Sequence, residues 1–218
     1  MVINMAKYAK RKNHPVLVTL LIVVLVAAVT AAGVWAAKKM IPALRLEKLA
    51  EAEVPEWVDV QLISVDGHSR RGQKLDGVED IVIHYVGNPG TTAQQNRNWY
   101  ENPESTVSSH FVVGLEGEVI QCVPLDEISS ATNWRNNDTI SIEVCHPDET
   151  GKFNDATYDA LVKLTAWLLE SSGLDEEHII RHYDVTGKEC PLYFVEYEDA
   201  WAQFKADAAI MQKGENHE

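Results

Sequence analysis

The sequence predicts an α/β domain, a mixed central β-sheet flanked by helices, preceded by one N-terminal transmembrane helix. Three observations carry this reading. Strand and helix patterns alternate along most of the chain, the run "IVIHYV" at 81–86 is apolar but for one histidine, and no charged residue stands between His14 and Lys38. Alternating elements stack into layers around a sheet, and an unbroken apolar strand is one covered on both faces.

The elements follow in order. Residues 1–14 form a short basic tail, expected on the cytoplasmic side. Residues 15–37 are long enough to span a bilayer, since roughly 20 apolar residues at 1.5 Å rise cover its hydrocarbon core. A secretory apolar region typically runs about 7–15 residues, so an uncleaved anchor is expected. Basic residues flank the span equally, with Lys7, Lys10, Arg11 and Lys12 before it and Lys38, Lys39, Arg45 and Lys48 after it. Charge counting therefore leaves its orientation open. Residues 38–53 read as a charged juxtamembrane stalk ended by Pro55. The globular domain is expected over 54–211, followed by a flexible tail at 212–218.

Within the domain, "IVIHYV" is a central strand, "TTAQQNRNWYEN" a weak helix, and "HFVVG" and "EVIQCV" two strands turned at Gly117. "TISIEVC" alternates, so Ile140, Ile142 and Val144 share one face while Ser141, Glu143 and Cys145 share the other. "NDATYDALVKLTAWLLESSG" starts at a capping Asn154 or Asp155, repeats Leu161, Leu164 and Leu168, and stops at Gly173. "VEYEDAWAQFKADAAIM" repeats Trp201, Phe204 and Ala208 at helical spacing.

Beyond residue 37 the chain keeps 15 Lys and Arg against 33 Asp and Glu, a formal −18. That balance argues against nucleic acid as a partner, because backbone binding needs a basic face. Three cysteines, Cys122, Cys145 and Cys190, are an odd number, so at least one is expected as a thiol or a ligand. Spacing leaves open whether Cys122 and Cys145 pair.

The chemistry concentrates in "RHYDVTGKECP" at 181–191, which offers His182 and Cys190 around Lys188. Imidazole and thiolate are the donors zinc prefers, and His84, inside an apolar strand, is the candidate third. Three protein ligands leave a fourth position for water, as catalytic zinc requires; structural zinc takes four protein ligands. Glu143 is then the candidate base and Lys188 the candidate positive charge for a developing oxyanion. The plainer alternatives are a core histidine held by hydrogen bonds, a solvated glutamate and a loop lysine. His110, His146 and Cys145 are assigned structural roles; His68, His178 and His217 read as surface residues.

The blocks "IVIHYVGNPGT", "VSSHFVVGLEGEVIQCVPL", "ISIEVCHPDETGKF" and "RHYDVTGKECP", in this order, resemble the type-2 N-acetylmuramoyl-L-alanine amidases, which share a fold with the peptidoglycan recognition proteins. The resemblance covers essentially the whole soluble domain. It implies one Zn2+ held by His84, His182 and Cys190, with Glu143 activating the attacking water and Lys188 stabilising the tetrahedral intermediate. Some phage members carry a tyrosine where this chain has Ser109, and many carry glycine where it has Ser141. The loop "SSATNWRNNDT" also departs from the family, and its Asn133, Trp134 and Arg135 are expected to contact substrate.

The expected function is therefore hydrolysis of the amide between N-acetylmuramic acid and L-alanine in peptidoglycan. The enzyme would be a single-pass plasma-membrane protein with its amidase domain on the cell-wall side. The alternative is a non-catalytic, membrane-tethered receptor that grips muropeptides without cutting them.

Overall fold

A computed structural model of the chain describes residues 15–65 and 68–215. The expected tail at 1–14 and His217 lie outside the described residues. The chain divides into two compact units, Met1–Met40 and Ile41–Glu218. In the first unit, the N-terminal part of helix α1 (Pro15–Glu51) exposes every side chain from 18 to 36. It is long and apolar enough to cross a membrane.

The second unit begins at Ile41, earlier than the expected 54. The last turns of α1 belong to its core rather than to a stalk. Leu49 is fully buried, Leu46 packs beside it, and the Pro42 carbonyl accepts a 2.9 Å hydrogen bond from Val78 N–H. Gly77 makes that approach possible, because a Cβ there would stand 2.6 Å from Pro42 Cβ. The helix stops at Glu51, before Pro55.

Among the described residues, six strands make one mixed sheet in the order β1-β4-β3-β5-β2-β6. They are β1 (Val58–Val60), β2 (Asp80–Tyr85), β3 (Phe111–Val113), β4 (Val119–Gln121), β5 (Thr139–Val144) and β6 (Ile179–Arg181). The β3–β4 hairpin is antiparallel and turns at Gly117, whose φ is 82°, while the other neighbours run parallel. Strand β2, next to the edge strand, pairs with β5 on one side and β6 on the other. Its Ile81 and Ile83 join Ile140, Ile142 and Val144 of β5 in the larger core, which the residue alternation of both strands dictates.

Helix α3 (Asp155–Ser172) covers that core with Leu161, Leu164 and Leu168, opened by the Asn154 cap and closed by Gly173 in the left-handed region. The weak helix forms as α2 (Ala93–Glu101), held by a capping box between Thr92 and Gln95. The final helix is two: α5 (Leu192–Glu196) and α6 (Glu198–Glu215). Buried Arg181 separates them by donating to the Phe194 carbonyl at 2.9 Å and to Glu198 Oε1 at 2.7 Å. Trp201, Phe204 and Ala208 of α6 reach the core as their spacing predicts. Residues 212–215 continue α6 rather than fraying into the expected tail.

The opposite sheet face carries a smaller core containing Cys122 and Cys145. Both are free thiols, so they do not pair, and burial pushes each up to about 12. His146, also buried, ties two loops together through the carbonyls of Asp148 at 2.7 Å and Val86 at 2.8 Å. His178 is half-buried rather than a surface residue, with Nδ1 3.1 Å from Asp80 Oδ1 and Nε2 3.2 Å from Arg45. His68 is exposed.

His110 is fully buried, with Nδ1 accepting from Ser141 N–H at 3.0 Å and Nε2 donating to the Glu127 carbonyl at 2.9 Å. Burial holds it down from 6.5 to about 4, against the raising effect of Glu127. The folded state therefore binds this proton less readily than the unfolded chain. Its contribution is complete above about pH 6.5 and is lost as pH falls toward 4, on the order of 3 kcal/mol at the limit. Thermal unfolding between pH 7 and 4 should show that loss, and His110→Asn should flatten it; an unchanged slope in the variant would remove His110 as its source.

Candidate metal centre

Three chain segments converge at the C-terminal end of β2. His84 stands in β2 directly opposite Glu143 of β5 in the parallel register, so both side chains leave the sheet on the same face. β6 ends where α4 (His182–Thr186) begins, which places His182 beside the strand end. This stretch is a short helix closed by Gly187 with φ 77°. Cys190 follows as the next buried residue.

One ligand atom from each of His84, His182 and Cys190 lies within 4.8 Å of the other two, and all three residues are buried. The imidazole rings of His84 and His182 are 4.6 Å apart at their centroids. His84 Nδ1 sits 3.9 Å from Cys190 Sγ and 4.0 Å from Glu143 Oε1, distances too long for strong hydrogen bonds. Glu143 Oε2 is buried with no hydrogen-bond partner. Four polar groups thus face a common point without satisfying one another, an arrangement that leaves room for a cation. Two imidazoles and a thiol suit zinc.

Electrostatics agree with that use. Burial, followed by the charges of His182 and Lys188, holds His84 well below the ordinary histidine value. Burial and Lys188 lower His182 in the same direction, so both rings are neutral and keep a lone pair for a ligand. Burial raises Cys190 to about 12 and Glu143 to about 8, with Lys188 opposing both shifts. Lys188 itself is exposed, yet its charge acts on all four groups.

Asn133, Trp134 and Arg135 form a 3-10 turn, and the structure separates them. Trp134 is 69% exposed. Asn133 reaches into the cluster, its Oδ1 2.7 Å from His182 Nε2. Arg135 does not join it: its guanidinium bonds Asp80 Oδ2 and Asp138 Oδ1, each at 2.7 Å. Asp80 opens β2 four residues before His84, about 13 Å away along a strand. Composition gave no hint of those acidic partners, because they meet Arg135 only in the folded sheet.

Two residues near the cluster escaped the sequence reading. Thr132, fully buried, places Oγ1 3.3 Å from His84 Nε2. Tyr100 of α2 brings its hydroxyl 3.3 Å from Ser109 Oγ, which donates at 2.7 Å to the Phe111 carbonyl. Neither carries a sequence signal, since each acts through a contact across the fold.

A parallel-rich α/β domain with a convergent His, His and Cys set at its strand ends defines a class of α/β proteins with a candidate metal centre there. Comparison with known proteins narrows the class. Residues 73–192 match the N-acetylmuramoyl-L-alanine amidase family, and the chain belongs to it. It is similar to the amidase BlyA of Bacillus subtilis (strain 168), 29% identical over 175 residues that cover 71% of this chain and 47% of that protein. A similar match is the amidase CwlL of Bacillus licheniformis, 28% identical over 170 residues, 69% of this chain and 47% of that protein. The chain thus spans about half the length of the curated relatives it matches. Among solved structures, the catalytic domain of XlyA superposes with a TM-score of 0.60 at 27% identity, covering 69% of this chain and 98% of that domain.

Proposed function

We propose that this chain is a zinc-dependent N-acetylmuramoyl-L-alanine amidase that hydrolyses the amide between N-acetylmuramic acid and L-alanine in peptidoglycan. The observation that carries the proposal is the buried His84, His182 and Cys190 set with the unpartnered Oε2 of Glu143 beside it, in a member of this family.

His84, His182 and Cys190 would hold the metal. The chemistry supplied by a bound zinc is Lewis acidity toward the amide carbonyl and a water made acidic enough to attack near neutral pH. Glu143, facing the cluster from β5, takes the proton of the attacking water and returns it to the departing alanine amine. Lys188 contributes a fixed positive charge where the carbonyl oxygen becomes negative. Asn133 and Thr132 orient ligands rather than substrate. The exposed Trp134 remains the loop's candidate for contact with the glycan or stem peptide.

The apolar N-terminal part of α1 serves in this reading as a membrane anchor, with the domain on the cell-wall side, where this substrate lies. The partners are then peptidoglycan and the membrane. Incubating the full-length protein in detergent with purified peptidoglycan should release new L-alanine amino termini. Chelation should stop the release and zinc should restore it. Binding to peptidoglycan with no amine released under any metal condition would overturn the amidase reading in favour of a tethered receptor.

A further inference from the structure

We propose that Asn133 and Thr132 are positioning residues that fix both histidine ligands from a single loop, and that Asn133 sets the metal affinity of the site. The inference rests on the zinc reading above. It assigns Asn133 a role other than substrate contact.

Each imidazole has two nitrogens, and a ligating histidine needs its second nitrogen held so that the ring presents the other to the metal. His84 has Nδ1 toward Cys190 and Glu143, and its Nε2 is 3.3 Å from Thr132 Oγ1. His182 has Nε2 2.7 Å from Asn133 Oδ1. With each Nε2–H donating to a side-chain oxygen, both rings keep Nδ1 as the lone-pair nitrogen. The tautomers follow from this network. Two consecutive residues therefore hold two ligands that lie far apart in the chain.

The loop is built to deliver them. Asn133 is the sole positive-φ residue other than glycine among the described residues, at 57°, a conformation that asparagine tolerates better than most side chains. Its neighbours lock the turn in place. Thr132 N–H donates to Asn136 Oδ1 at 2.6 Å, Thr139 Oγ1 donates to the Arg135 carbonyl at 2.7 Å, and Arg135 is pinned to Asp80 and Asp138. A left-handed residue held by its surroundings beside a candidate site is the pattern that function maintains against strain.

The deciding experiment measures zinc affinity of the full-length protein in detergent by competition with a chromogenic chelator, which reads the site without reference to activity. Asn133→Gly keeps the left-handed backbone at no steric cost and deletes Oδ1, so folding is preserved while the hydrogen bond is lost. Its zinc affinity should fall about 10–100-fold, as removal of partners behind metal ligands typically does. Asn133→Asp restores an acceptor at the same place and should return affinity to at least the wild-type level. Thr132→Val, close in shape, should weaken binding in the same direction. If Asn133→Gly binds zinc as tightly as the wild type, the positioning role is overturned while the zinc reading stands. If the wild type itself binds no zinc, the functional reading fails first, and the role of Asn133 with it.

Discussion

Glu143→Gln should lower amide hydrolysis by about 10²–10⁴-fold, the range that a positioned general base contributes, while the metal-stripped protein becomes more stable. Both halves follow from one observation. Glu143 stands near the C-terminal end of β5 with its side chain only 20% exposed, its Oε2 is buried with no partner, and burial raises the carboxyl to about 8. A carboxyl left in that state costs folding free energy, and a neutral amide of the same shape costs less to bury. In the proposed mechanism the same group is the proton acceptor, which an amide cannot be. The residue is therefore retained against the interest of stability. Turnover of peptidoglycan and the unfolding temperature of the metal-free protein test the two halves separately. Activity within tenfold of wild type would remove Glu143 from the base role. An unfolding temperature below wild type would show that its carboxyl has a partner in solution.

Cys190→Ser should weaken zinc binding by about 10²–10³-fold and take the activity with it. The thiolate is the only negatively charged donor in the set, and a serine hydroxyl neither ionises near neutral pH nor suits zinc as sulfur does. Binding energies of roughly 10–16 kcal/mol for four-ligand structural zinc sites, shared evenly, give about 2.5–4 kcal/mol per ligand. Cys190 is buried between His84 and the start of α5, so serine fits its space and the loss is one of chemistry rather than of packing. Cys190→Asp returns a negative charge and should recover part of the affinity. Metal content after dialysis against a weak chelator reads both variants. Equal zinc retention by the serine variant would exclude Cys190 as a ligand.

The parts of the fold that the sequence disclosed are those written in local periodicity. The alternation of "TISIEVC" sorted Ile142 from Glu143, and the structure puts the first in the core and the second opposite His84. Helix α3 was legible at both ends because Asn154 and Gly173 act on their own backbone neighbours. What escaped was settled by distant partners. The final turns of α1 looked like a solvated stalk because Leu46 and Leu49 stand among charges, and only the fold shows what they pack on. The break between α5 and α6 depends on Arg181, which arrives from β6. Within the candidate site, the residues that cluster, His84, His182 and Cys190, were readable from "RHYDVTGKECP" and "IVIHYV". The contact of Asn133 with His182 and the pinning of Arg135 by Asp80 and Asp138 were not, because a left-handed φ and a set of ion pairs have no one-dimensional signature.

The sheet order has a consequence for when the site comes into being. His84 and Cys190 are 106 residues apart in the chain, and β2 meets β5 and β6 only through parallel pairings with long intervening connections. Such non-local pairings form late, after the entropy of closing large loops has been spent. His182 and Cys190 share one local segment, but the third donor, His84, comes from β2, so an incompletely folded chain holds two of the three donors and lacks the complete centre. A polypeptide threaded unfolded across a membrane would carry His84 far from the other two donors. Its capacity to cut would appear only when the last strand docks on the far side, and the folding pathway itself would guard the compartment in which the chain is made.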